Sequence, residues 1–165
     1  MLTILHKRYI IYGRDSFCDS KIVLCGVRDP GNLGTMLRTA AAFGIGEVIL
    51  SSDCADLYNP KTVRAAMGAI FRMRVSICED VCQTLSLLHT NGYRTCAATL
   101  QASSLALGSF DVDRHTCFVI GNEGHGLDRS VIDACDCSVI IPMQQGTESL
   151  NAAIAAATLL WEGYR

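Results

Sequence analysis

Short apolar runs separated by segments of helical pattern recur along most of this chain, and that alternation restricts its fold more than any other feature. The runs lie at residues 22–25, 48–50, 73–77, 95–98, 117–120 and 139–141, the third being the weakest. Candidate helices fall between and after them, at 34–43, 62–69, 81–91, 127–134 and 150–161. Strands joined through helices imply right-handed crossovers and a largely parallel sheet. The chain is therefore read as α/β, a mostly parallel sheet flanked by helices. Its 165 residues fit one domain with a continuous core. An apolar fraction of 50% and a mean hydropathy of +0.27 are high for a monomer. Either both sheet faces are covered, or an apolar patch is enclosed between subunits. Residues 1–20 are mixed in character and carry a turn at Tyr12, Gly13 and Arg14, so they read as an arm or linker remnant before a domain at 21–165.

Several function classes are excluded or weakened. No apolar run approaches the roughly 20 residues of a membrane span. The first residues, Met1 to Arg8, lack the ordered regions of a signal peptide, so a cytoplasmic protein without a membrane partner is expected. The nine cysteines are an odd number scattered through strand and helix segments, and Cys25, Cys96 and Cys117 sit inside apolar runs, where a thiol behaves as a small hydrophobe. There is no Cys-x-x-Cys pair, and Cys135-x-Cys137 lacks a second ligand pair at zinc spacing, so no metal site is expected. A net charge of -2 gives no global attraction to nucleic acid. The cations are nevertheless mostly arginine, the residue suited to planar, bidentate contact with phosphate, although a solvated surface accounts for arginines equally simply.

In an open parallel sheet, ligands bind beyond the carboxyl ends of the strands, and four polar turns follow strands here. They are residues 28–34, the segment from Thr99, residues 121–126 and residues 142–151. The third, Gly121-Asn122-Glu123-Gly124-His125-Gly126, has the dinucleotide glycines in reversed spacing, and no phosphate-loop motif exists. Such a turn either brings backbone N–H and C=O groups against a ligand or is simply a structural turn. In the first segment, Asp29-Pro30-Gly31 reads as a turn and Asn32 as the cap of a helix ending near Gly44. Arg38 then lies about a turn and a half into that helix, either reaching back toward a phosphate or standing on the surface. The last segment, Gly146-Thr147-Glu148-Ser149-Leu150-Asn151, runs into an alanine-rich helix. Ser149 and Asn151 are caps or ligand contacts, and the small residues beyond them let another helix pack closely.

Three segments in order carry a family resemblance: Asn32-x-Gly34-x3-Arg38-Thr39-Ala40, Gly121-Asn122-Glu123-Gly124-x-Gly126, and Ile141-Pro142-Met143-x2-Gly146-x-Glu148-Ser149-Leu150-Asn151. Asn59-Pro60-Lys61, with Arg64-Ala65 and Gly68-Ala69, fits as well. Together they resemble the SpoU or TrmH family of S-adenosylmethionine-dependent RNA ribose 2′-O-methyltransferases, of the SPOUT superfamily. The resemblance implies a deep C-terminal trefoil knot, a homodimer packed around it, and S-adenosylmethionine as cofactor, held by the backbone at Gly121, Ile141 and Leu150 and lined by Thr99, Leu100, Asn122 and Met143. It also implies catalytic roles for Asn32, Arg38, Glu123, Ser149 and Asn151. Ser149 and Asn151 would hold ribose and phosphate of a tRNA or rRNA substrate, with Asn32 and Glu123 orienting Arg38. Larger members have a separate RNA-recognition domain, so the chain reads as a compact member or a catalytic fragment. A knotted RNA-binding module without catalysis and a base methyltransferase of the same superfamily are the alternatives.

Overall fold

The apolar runs become neighbouring strands of one sheet in the computed structural model, which describes residues 20–101, 103–144, 146 and 149–165. The strands are β1 (Lys21–Leu24), β2 (Glu47–Ser51), β3 (Arg74–Cys78), β4 (Arg94–Ala98), β5 (Leu105–Ala106), β6 (Thr116–Ile120) and β7 (Cys137–Ile140). Their order across the sheet is β3-β2-β1-β6-β4-β7-β5, and every pairing is parallel. All six expected strands form. β5 was not expected, because two residues on an edge carry no periodic signal. The arm expected over residues 1–20 lies, apart from Ser20, outside the described residues.

Side chains alternate between the two faces of a strand, and this divides the core in two. Ile22, Leu24, Val48, Leu50, Phe118 and Ile120 face one layer, which contains α1 (Pro30–Ala42), α2 (Pro60–Ala66) and α5 (Ala152–Tyr164). Val23, Ile49, Cys117 and Val119 face the other, with α3 (Val81–Thr90) and α4 (Arg129–Asp133). The central strand β6 is buried along its whole length, as expected of a parallel strand covered on both sides.

Helix boundaries follow local capping chemistry. α1 begins four residues earlier than the apolar pattern suggests: Asp29, not Asn32, is its cap, accepting from Asn32 N at 2.8 Å, and Pro30 takes the first helical turn. What reads as an Asp-Pro-Gly turn is therefore the start of the helix. α2 is capped by Asn59 and stops at Met67, whose φ of 50° is left-handed. α1 and α2 touch at Gly34, where a Cβ would stand 2.4 Å from Thr62 O and 2.6 Å from Ala65 Cβ, so only glycine permits this approach. At the opposite end of α1, Phe43 meets the rings of Trp161 and Tyr164 of α5 at 5.8 and 5.3 Å. Among the described residues, no helix is long and apolar enough to cross a membrane.

Candidate active site

The carboxyl ends of β4, β6 and β7 open onto a cavity of about 480 Å³, closed on its remaining side by the start of α5. β4 contributes Ala98, Thr99 and Leu100; β6 and its turn contribute residues 120–127; β7 and the chain after it contribute Val139, Ile141 and Met143. Ser149, Leu150, Ala152 and Ala155 complete the wall. All seven residues expected at the cofactor, Gly121, Ile141, Leu150, Thr99, Leu100, Asn122 and Met143, line this one cavity. Its size is that of a small-molecule site, and its apolar side chains are edged by the backbone of a glycine turn, which suits the apolar faces and hydrogen-bonding edge of a nucleoside. The turn is held by a bridge in which Asn122 N donates to Gly126 O and Gly126 N donates back to Asn122 O, each at 3.0 Å. Asn122 Nδ2 also donates to Gly26 O at 2.7 Å, joining the β6 turn to the end of β1.

At the mouth of the cavity, three of the expected catalytic residues form one hydrogen-bonded chain. Asn151 Oδ1 caps α5 by accepting from Ala153 N at 2.9 Å and Ile154 N at 3.3 Å. Asn151 Nδ2 donates to Asn32 Oδ1 at 3.1 Å, and Asn32 Nδ2 donates to Glu123 Oε1 at 3.1 Å. Glu123 further accepts from the backbone N–H groups of Arg28 and Asp29, each at 3.3 Å. Ser149 lines the cavity and is exposed. Arg38 stands apart: it is exposed on α1, is absent from the cavity wall, and among the described residues its side chain has no hydrogen-bond or ion-pair partner. Asn32 and Glu123, read from sequence as orienting Arg38, bond instead to each other, with Asn151 as the next link.

The Glu123 carboxyl titrates below the ordinary glutamate value. Burial pushes its pKa up, but hydrogen bonds from its own backbone, Asn32, Arg28 and Asp29 outweigh that and lower it. A carboxyl depressed in the folded state contributes stability above its unfolded pKa, about 4.3, and that contribution is lost as pH falls through the native value. The Asn32–Glu123 contact is therefore expected to persist through neutral pH and release only in acid. A carbon-detected NMR titration placing the Glu123 midpoint at or above the free-glutamate value would contradict these bonds.

The thiols do different work. Burial pushes Cys117 and Cys135 up to about 12, so both stay protonated and apolar at neutral pH. Among the described residues, no group of three or more His, Cys, Asp or Glu side chains is arranged to hold a metal ion.

Residues 19–161 match the SpoU rRNA methylase family. The chain belongs to that family. The SpoU domain is 38% identical over 144 residues to an uncharacterized tRNA/rRNA methyltransferase of Synechocystis, covering 87% of this chain and 52% of that protein. It is 34% identical over 140 residues to RlmP of Bacillus subtilis, a 23S rRNA guanosine 2′-O-methyltransferase, covering 85% of this chain and 56% of the relative. Among solved structures, the AdoMet-bound rRNA methyltransferase of Sinorhizobium meliloti superposes with a TM-score of 0.80 at 32% identity, covering 87% of this chain and 54% of that one. The chain thus spans little more than half the length of these relatives.

Sequence reasoning overlooked the groups that support the SpoU cavity from behind. Gly26 N donates to Ser51 Oγ at 2.8 Å, and Ser51 Oγ donates to Asp53 Oδ1 at 2.5 Å. This fixes the Gly26 carbonyl that receives Asn122. The one available signal was a glycine directly after an apolar run, which the structure places at a φ of 62°. His125, inside a motif already singled out, also lines the cavity. Glu148, part of the third motif, lies outside the described residues.

Proposed function

We propose that residues 21–165 form the catalytic domain of an S-adenosylmethionine-dependent enzyme that methylates a ribose 2′-hydroxyl of tRNA or rRNA. The observation that carries this reading is the convergence of two residue sets: the seven donor-site positions line one cavity, and Asn32, Glu123 and Asn151 are bonded together at its mouth. When bound, S-adenosylmethionine supplies an electrophilic sulfonium methyl. The backbone at Gly121, Ile141 and Leu150 would hold it, with Thr99, Leu100, Asn122 and Met143 packed around it. Ser149 and Asn151 hold ribose and phosphate at the mouth, so the 2′-hydroxyl is oriented before transfer. Arg38, outside the cavity of its own chain, meets the RNA rather than the donor. Its guanidinium stays protonated, so it activates the hydroxyl electrostatically while the proton leaves to phosphate or water.

The same reading includes a trefoil knot, a homodimer and a cytoplasmic setting. The chain leaves β4 at Ala98, level with Val139, and re-enters the sheet at Leu105, level with Val139 from the other side of β7. The course beyond Ile140 is thereby flanked on both sides by one loop, which supports the knot. Support for the dimer comes from α5, where Ile154, Trp161 and Tyr164 are 54%, 50% and 60% exposed, the last two beside Phe43.

Calorimetry with S-adenosylmethionine, followed by nucleoside analysis of RNA methylated by this chain, tests the reading. Saturable donor binding and ribose-methylated nucleosides are expected. Absence of donor binding would reject the proposal, and base-methylated nucleosides would move it to the other branch of the superfamily.

A further inference from the structure

Residues 57–78 carry Lys61, Arg64, Arg72 and Arg74 and not one Asp or Glu, in a chain whose net charge is -2. They build α2, the 3₁₀ turn Ala69–Phe71 and β3, and all four cations are exposed. Two large apolar side chains stand out among them, Met67 at 65% and Phe71 at 60% exposure. Among the described residues, the guanidinium groups of Arg64 and Arg72 have no hydrogen-bond or ion-pair partner, whereas Lys61 Nζ pairs with Asp29 Oδ2 at 2.9 Å. Met67 keeps a left-handed backbone with φ of 50°, a conformation a glycine would adopt with less strain. Exposed arginines interleaved with an aromatic ring suit a phosphate backbone whose bases stack.

We propose that this face, formed by α2 and the 3₁₀ turn, is an RNA-docking surface that receives the strand leaving the target ribose. The inference rests on the function proposed above. Its location supports it: Asp29, the partner of Lys61, also donates its backbone N–H to Glu123, so the patch begins one residue contact from the mouth of the cavity. The close contact at Gly34 fixes α2 against α1, which carries Asn32 and Arg38. Arg64 and Arg72 would grip phosphates, and Phe71 would stack on a base.

The test is binding of a fluorescein-labelled poly(U) oligonucleotide by anisotropy across a salt series, using the full chain. For Arg64→Glu/Arg72→Glu, affinity should fall about 10-fold or more, and the log–log salt slope should drop by about 1.4, given about 0.7 per phosphate contact on a single strand. Phe71→Ala should weaken binding about 10-fold, with recovery in Phe71→Tyr, because stacking needs a ring. Donor binding by calorimetry and the melting temperature should match the parent, since every altered side chain is exposed. Variants that bind within about two-fold of the parent with an unchanged slope would overturn the proposal. A change in sedimentation of the free protein without a change in RNA affinity would assign the face to self-association and overturn it equally. A parent that binds donor but not poly(U) defeats the docking surface alone, whereas a parent that binds no donor defeats the enzymatic reading itself.

Discussion

Gly121→Ala should weaken S-adenosylmethionine binding by at least about 100-fold, equivalent to about 2.7 kcal/mol, and lower the melting temperature. A Cβ at this position would lie 2.3 Å from Gly126 C, 2.5 Å from Gly126 O and 2.6 Å from Leu127 N. All three are backbone atoms, so no rotamer change relieves the clash. The paired Asn122 and Gly126 hydrogen bonds would have to open, and overpacking of this kind costs about 1–3 kcal/mol or more. The turn carries a continuous wall of the cavity, so its displacement removes the site as well as destabilising the fold. Gly124→Ala is the matched control for the fold: among the described residues its Cβ would meet Asn122 Oδ1 alone, at 3.4 Å, and its φ is not left-handed, so its melting temperature should match the parent even though it too lines the cavity. Donor calorimetry and thermal unfolding on both variants decide the matter. Equal affinities in Gly121→Ala and the parent would show that the turn can move without cost and does not form the donor site.

The strand pattern was most legible where a strand is buried on both faces and so reads as an unbroken apolar run, as in Cys117 to Ile120, and not at all at the exposed two-residue β5. The helix starts were less so. Asp29-Pro30-Gly31 has turn chemistry and first-turn helix chemistry at once, and only the later packing of Leu33 and Leu37 into the core selects the helix. The cavity lining was legible through the family resemblance, since residues from three separate segments meet only when the sheet order is known. Composition and spacing alone left Ser149 and Asn151 open between caps and contacts. For Asn151 the structure shows the cap, with its oxygen accepting from the first turn of α5 and its amide nitrogen donating to Asn32. The Gly26–Ser51–Asp53 support joins residues from the ends of two strands, and no local pattern encodes such a contact. The basic face of residues 57–78 was in plain view as a run without carboxylates, yet averaging charge over the whole chain concealed it.

Glu123→Gln should slow methyl transfer by about 100-fold while leaving donor affinity near that of the parent, because the carboxylate sets the direction of the whole polar chain at the mouth. The α5 N-terminus offers only N–H groups, so Asn151 must turn its oxygen inward and its amide nitrogen toward Asn32. The ionised Glu123 offers only acceptors, so Asn32 must turn its nitrogen toward Glu123 and its oxygen toward Asn151. The two ends thus specify one amide orientation at each asparagine, and one set of free lone pairs at the mouth. A glutamine replaces one acceptor with a donor facing the N–H of Arg28 or Asp29, leaving a repulsive contact or a flipped amide. Charge-assisted hydrogen bonds of about 1.5–3 kcal/mol are lost, and Asn32 is free to reverse. Arg38→Ala should also slow transfer, but without touching this chain, so the acid titration of Glu123 should stay as in the parent. Transfer rates and donor affinities of the two variants, read beside that titration, separate orientation from electrostatic activation. A Glu123→Gln variant at full rate would reduce the chain of hydrogen bonds to a structural tie between α1 and α5.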